Sequence, residues 1–228
     1  MTPGLGHFVA DGEKGHRFAQ LIFDQARRHA GLDDAAIRLV AQRPRAQETI
    51  GDTVALITPK PLPLGTFSAH REATTITYDP ALIDDPEMLI ATFAHELAHV
   101  LTPPDSELPV EADEYELFTD LTSAFLGFGV FLSNTRLERY VDDGWIKWRG
   151  GGYLPVNDRI MATALFIVIK NNDQDRAIAQ RYLRPHLRDT FRKAFKQLAR
   201  FDPEIKRLRA LDAAMQERAQ TLNAANAG

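Results

Sequence analysis

The sequence predicts an α+β fold: a small N-terminal sheet, then a helix pair, then a helical C-terminal lobe. Three observations predict it. Short β-branched runs, such as residues 74–78, fall within the first eighty residues. From Pro86 onward apolar residues recur mostly at helical spacing. The connections between these segments are short, which argues for one compact unit over residues 1–228. Within it we expect an α/β lobe at 1–82 and a helical lobe at 83–228.

Taken in order, residues 16–30 read as an amphipathic helix. Phe18, Leu21, Ile22 and Ala26 share one face, and Gly31 follows as a stop. Residues 37–41, 53–58 and 74–78 read as strands, with 59–63 (PKPLP) as an extended connector. Asp85 is an N-cap and Pro86 the first residue of a helix that runs to about Leu101 and halts at Pro103-Pro104. A second helix is expected from about Pro109 to Ser133. Gly127 and Gly129 lie inside it, each costing up to ~1 kcal/mol relative to alanine, which suggests close approach of another backbone. After a flexible Gly150-Gly151-Gly152, helices are expected at 155–170, 175–200 and 202–222. The first of these should bury Ile160, Leu165, Phe166 and Ile169. The tail at 223–228 should fray.

Composition narrows the chemistry. The 228 residues are 44% apolar and 25% charged, ordinary values for a globular chain. There is no cysteine, so disulfides, thiolate metal sites and cysteine nucleophiles are excluded. The longest apolar run, residues 124–132, falls short of the ~20 residues that cross a bilayer. Residues 1–14 carry no apolar segment of the secretory kind, so a cytoplasmic location and no membrane partner are expected. The net charge of −4 is unevenly spread. Residues 72–135 hold 13 acids and no Lys or Arg, whereas 136–228 hold 18 Lys/Arg and 11 acids. Such a split points to a functional surface or to an internal match between the two parts.

One motif carries chemistry. His95-Glu96-Leu97-Ala98-His99 is an H-E-x-x-H inside the helix that begins at Asp85. With 7 His and 12 Glu in the chain, chance would produce it about once in 100 such sequences. Residues four apart on a helix lie about 40° apart around its axis. Both imidazoles therefore project from one face and can hold one Zn²⁺. Glu96 projects beside them, within reach of a water at the metal. Leu89, Phe93, Leu97 and Leu101 are expected to bury the helix.

A catalytic zinc takes three protein ligands and keeps one position open. Glu116 and Asp120, again four apart, lie on one face of the next helix. Glu116 can complete a His₂Glu set, and Asp120 can accept a hydrogen bond from the outer nitrogen of a ligand histidine, fixing its tautomer. Glu111 competes for the third position. It stands five residues before Glu116, about 140° around a helix, so the two cannot face one metal together.

HELAH followed 17 residues later by E-x-x-T-D resembles the gluzincin zinc metallopeptidases of the thermolysin-like clan. The resemblance extends to the strand at 74–78. Residues 67–134 are similar to a stretch of small uncharacterised bacterial HExxH proteins. It implies a zincin-type helix pair, His95, His99 and Glu116 as zinc ligands, Glu96 as general base, and Asp120 as the partner of His95. Tyr115 departs from the clan, where asparagine is usual, and the clan's downstream oxyanion-stabilising residue has no evident counterpart. Glu111-Ala112-Asp113 looks instead like the E-A-[DN] motif of regulatory cytoplasmic peptidases that cleave repressors.

The expected activity is therefore zinc-dependent hydrolysis of peptide bonds, with a peptide or protein as substrate. The competing expectation is a non-catalytic zincin-like structural or interaction module. Tyr153 and His186 are candidates to stabilise the oxyanion. A sheet edge such as 74–78 could pair with an extended substrate. Arg181, Arg184, Arg188, Arg192, Lys196 and Arg200 recur along one expected helical face. A solvated face, or docking against the acidic middle third, explains that stripe better than nucleic-acid binding, because aromatic interleaving is thin and the chain is acidic overall.

Overall fold

A computed structural model describes residues 5–43, 64–70, 73–103, 111, 114–135, 138–142, 145–149 and 152–226. The strand expected at 53–58, the connector at 59–63, Pro104, Pro109, Gly150 and Gly151 lie outside them.

The N-terminal helix α1 spans Gly15–His29. Its buried face is Phe18, Ala19, Ile22, Phe23 and Ala26, the stripe its spacing predicts. Gly31, at φ +72°, turns the chain out of it. Strands β1 (Ile37–Ala41), β2 (Gly65–His70) and β3 (Ala73–Tyr78) form one sheet in the order β1-β3-β2. β1 runs parallel to β3 and β2 antiparallel to it. β3 is thus the central strand, and the expectation that residues 74–78 form an edge is corrected. The outer strand β2 was not expected, because its single large apolar residue, Phe67, gives almost no alternation to read.

Helix α2 spans Pro86–Leu101. Asp85 caps it, its carboxylate accepting from the Met88 N–H at 3.1 Å, with Pro86 at the first helical position. Eleven of its sixteen residues are buried. Phe93 packs edge-on against Phe23 and Tyr78, joining α2 to α1 and to the sheet in one core. Burying a side chain of this size contributes on the order of 2–3 kcal/mol. Leu101 is 45% exposed and, contrary to expectation, does not help to bury the helix.

The second helix is shorter and broken. α3 covers Tyr115–Ser123, a π-helical turn follows at Ala124–Phe128, and α4 covers Gly129–Asn134. The two glycines do different work. Gly127 sits at φ +100°, which only glycine adopts freely, and breaks the helix there. Gly129 meets the next helix, where an added Cβ would overlap Thr163 Oγ1. Residues Tyr115–Asn134 reach a span's length and a mean hydropathy of 1.2, but 61% of that stretch is buried inside the fold.

A hairpin of β4 (Glu138–Asp142) and β5 (Trp145–Arg149), also unexpected from sequence, leads to α5 at Val156–Lys170. The helix expected at 175–200 is two helices, α6 (Asp173–Tyr182) and α7 (Arg188–Leu198), separated at Pro185, which cannot continue a helix from the preceding turn. α8 runs Asp202–Asn226, so residues 223–226 extend a helix where fraying was expected. α5 to α8 share a second core around Ile160, Ile167, Leu183 and Phe191.

The break at Pro185 also ends the idea of one basic helical face. Arg184 pairs with Glu87 of α2 at 3.2 Å, an internal match of the basic part with the acidic one. Arg188 instead holds the carbonyls of Leu183 and Arg181.

Candidate metal centre

α2 and α3 each carry an i, i+4 pair, and the pairs face each other. Their approach is close because small side chains line the contact. Ser123, fully buried, donates to the Ala94 carbonyl of α2 at 3.1 Å, and Thr119 is fully buried beside it. His95 and His99 from α2 meet Glu116 and Asp120 from α3.

Among the described residues, one group of three metal-ligating side chains converges: His95, His99 and Glu116. His95 Nε2 lies 3.1 Å from Glu116 Oε2 and 3.1 Å from His99 Nε2, and His99 Nε2 lies 3.5 Å from Glu116 Oε2.

The outer ring nitrogens assign the tautomers. His95 Nδ1 lies 2.9 Å from Asp120 Oδ1. A carboxylate only accepts, so that nitrogen carries the proton. His99 Nδ1 lies 3.1 Å from the Tyr115 hydroxyl, whose own proton goes to the Thr102 carbonyl. The tyrosine oxygen is therefore the acceptor, and His99 Nδ1 is protonated as well. Both Nε2 atoms then turn lone pairs toward Glu116 Oε2. Three lone pairs facing each other repel unless a cation lies among them. Their separations bracket the edge of a tetrahedron of ligands around zinc, about 3.3 Å at zinc–nitrogen distances near 2.05 Å. The residues present thus fit a divalent ion.

A proton is the weaker alternative cation, and the titration behaviour reflects it. Burial works to lower His95, but its hydrogen bonds to Asp120 and Glu116 outweigh burial and raise it to about 10. Burial and the adjacent His95 lower His99 to about 4. Glu116 is held below the usual carboxylate range by its hydrogen bond to His95.

Asp120 is the hub behind the ligands. Its side chain has no exposure, and its second oxygen accepts from the backbone N–H groups of Tyr153 at 2.5 Å and Leu154 at 2.8 Å. Gly152, at φ +68°, makes this turn possible, since a Cβ there would lie 2.5 Å from Asp120 Oδ2. The same turn lays the Tyr153 ring over His95, centroids 5.6 Å apart. The Tyr153 side chain is otherwise open, and burial followed by the charges of Glu116, Asp120 and Glu96 raises its hydroxyl above the usual value.

Glu96 is 5% exposed. Among the described residues no donor reaches its carboxylate. Burial raises it to about 7, His95 opposing and Glu116 assisting that rise.

The structure thus brings together His95, Glu96, His99, Glu116, Asp120 and Tyr153. It does not bring in Glu111, which is exposed ahead of α3 and outside the converging group. His186 stands exposed in the turn Pro185–Leu187, and no hydrogen bond or ring contact ties it to the triad among the described residues. Two contributors escaped the sequence. Tyr115, noted there only as a departure from the clan, orients His99. Phe67 of β2 stacks on the His99 ring, centroids 5.7 Å apart. Neither has a local signal, since both act across elements distant in sequence.

Comparison with protein-family models, with curated proteins and with solved structures returned no match.

Proposed function

We propose that this chain is a zinc-dependent metallopeptidase acting on a peptide or protein substrate. His95, His99 and Glu116 would hold the ion. Zinc in such a site supplies a Lewis acid that polarises a carbonyl and lowers the pKa of water toward ~7.

The chain's own groups do the rest. Glu96 accepts a proton from the attacking water as its oxygen bonds to the scissile carbonyl carbon. It returns that proton to the departing amine as the C–N bond breaks. In the metal-free protein burial raises this carboxyl above its ordinary range, toward the proton affinity that both halves of the exchange need. Asp120 keeps the Nδ1 proton on His95, so that Nε2 remains a donor to the ion. Tyr153, held over His95 by its own backbone bond to Asp120, is the group we assign to the developing oxyanion. Among the described residues β2 is the edge strand that packs against the site, so main-chain pairing with a substrate falls to β2, not β3.

The observation that carries this reading is Glu96: a residue only 5% exposed whose carboxylate meets no hydrogen-bond donor among the described residues, beside three converging ligand atoms. A purely structural ion site has no use for an acid held beside its ligands, whereas general-base catalysis requires one. The test is digestion of a peptide library by the zinc-loaded wild type and by Glu96→Gln. We expect cleavage by the wild type only, with equal zinc in both. Equal cleavage by the two proteins would remove Glu96 from the chemistry. No cleavage by either would favour the non-catalytic module.

A further inference from the structure

The outer strand β2 meets α2 in a specific register. Gly65 and Phe67, two residues apart, lie on one face of the strand. Glu96 and His99, three apart, lie on one face of the helix. Phe67 stacks on His99. Opposite Glu96 the strand has no side chain. A Cβ at position 65 would stand 2.8 Å from Glu96 Oε1, 3.0 Å from Glu96 Cγ and 2.7 Å from Thr92 Cγ2.

The glycine is not there for its backbone. Its φ lies outside the left-handed region, so an L residue could adopt the same conformation. The requirement is for space. Two of the three close atoms belong to Glu96, and the third belongs to Thr92, one turn earlier on the same helix.

We infer that Gly65 is a positioning residue, resting on the peptidase reading above. Its missing side chain fixes where the Glu96 carboxylate stands, while Phe67 restrains the His99 ring from the same strand. Gly65 acts through Glu96.

Gly65→Ala tests this. The added methyl must push the carboxylate aside or move β2 off the helix. With zinc loaded, kcat should fall by up to the order of 10²-fold, the loss that displacing a reacting group by about 1 Å can cause. KM and zinc content should stay within about twofold of wild type. A kcat unchanged by Gly65→Ala would overturn the inference, as would zinc lost in proportion to kcat.

A second readout needs no activity. Thermal unfolding of wild type, Gly65→Ala, Glu96→Ala and the double variant forms a cycle. Gly65→Ala should lower Tm by about 3 °C or more in the wild-type background. It should lower Tm by clearly less where Glu96→Ala has removed the obstructing carboxylate. If Gly65→Ala does not fold, recovery in the Glu96→Ala background supports the inference, and failure to recover there overturns it. An equal loss in both backgrounds assigns the glycine to Thr92 and general packing instead. Were the wild type to cleave nothing, the peptidase reading would fail, whereas the cycle would still report whether Gly65 makes room for Glu96.

Discussion

Asp120 serves His95 from one oxygen and the backbone of Tyr153 from the other. Oδ1 lies 2.9 Å from His95 Nδ1, and Oδ2 lies 2.5 Å from the Tyr153 N–H. One fully buried carboxylate therefore sets the tautomer of a candidate ligand and docks the segment that carries a candidate oxyanion group.

Removing that carboxylate should loosen the ion without displacing a ligand. Asp120→Ala is expected to weaken zinc binding by about 10–100-fold. Asp120→Asn keeps the shape, but its single amide oxygen cannot accept from His95 and from the Tyr153 and Leu154 N–H groups together, so it should weaken binding as well. Competition titration with a chelating dye measures both. Affinity equal to wild type in Asp120→Ala would contradict the role.

The third ligand is equally testable. Glu116→Ala should lose bound zinc after dialysis, because two imidazoles alone do not complete a three-ligand set. Glu111→Ala should retain it, since Glu111 is exposed and stands outside the group. Metal analysis of the two variants decides, and the reverse result would move the ligand role to Glu111.

Stability of the metal-free protein should depend on pH in a definite direction. His95 is raised from its ordinary 6.5 to about 10, so the folded state binds the extra proton between those values. Its contribution is complete below about pH 6.5 and is lost as pH climbs through about 10. Below pH 7 the raised Glu96 and the lowered His99 act in opposite senses and largely offset. Urea midpoints of the metal-free chain should therefore fall steadily from pH 7 to 10. Zinc must displace the His95 proton, so its apparent affinity should climb over the same range. A flat midpoint from pH 7 to 10 would contradict the His95 assignment.

Gly129 offers a test that is independent of the metal. Gly129→Ala places a methyl against Thr163 of α5. Overpacking of this kind costs about 1–3 kcal/mol, read as a lower urea midpoint with an unchanged slope. Adding Thr163→Ala should recover part of that loss. No loss from Gly129→Ala alone would show that α4 and α5 can separate at this point.

What could be read in advance was the geometry confined to single helices. His95 with His99, and Glu116 with Asp120, are i, i+4 pairs whose geometry follows from one period. The cap at Asp85-Pro86 is local in the same way. What could not be read depends on pairing between distant segments. β2 holds together through its register with β3, and its own residues scarcely alternate. Tyr115 and the turn at Gly152 acquire their roles only when α3 meets α2 and when residues 152–154 reach Asp120. The helix expected at 109–133 failed at Gly127, where a tolerated glycine proved to need a positive φ. Proline at 185 gave a break that the apolar spacing of 175–200 concealed.

The central claim is that His95, His99 and Glu116 bind one divalent ion. The most direct measurement is elemental analysis of protein incubated with zinc and then dialysed, for wild type and for His95→Ala/His99→Ala. We expect about one zinc per chain in the wild type and essentially none in the double variant. Zinc absent from the wild type, or retained at the same level without the two histidines, would contradict it.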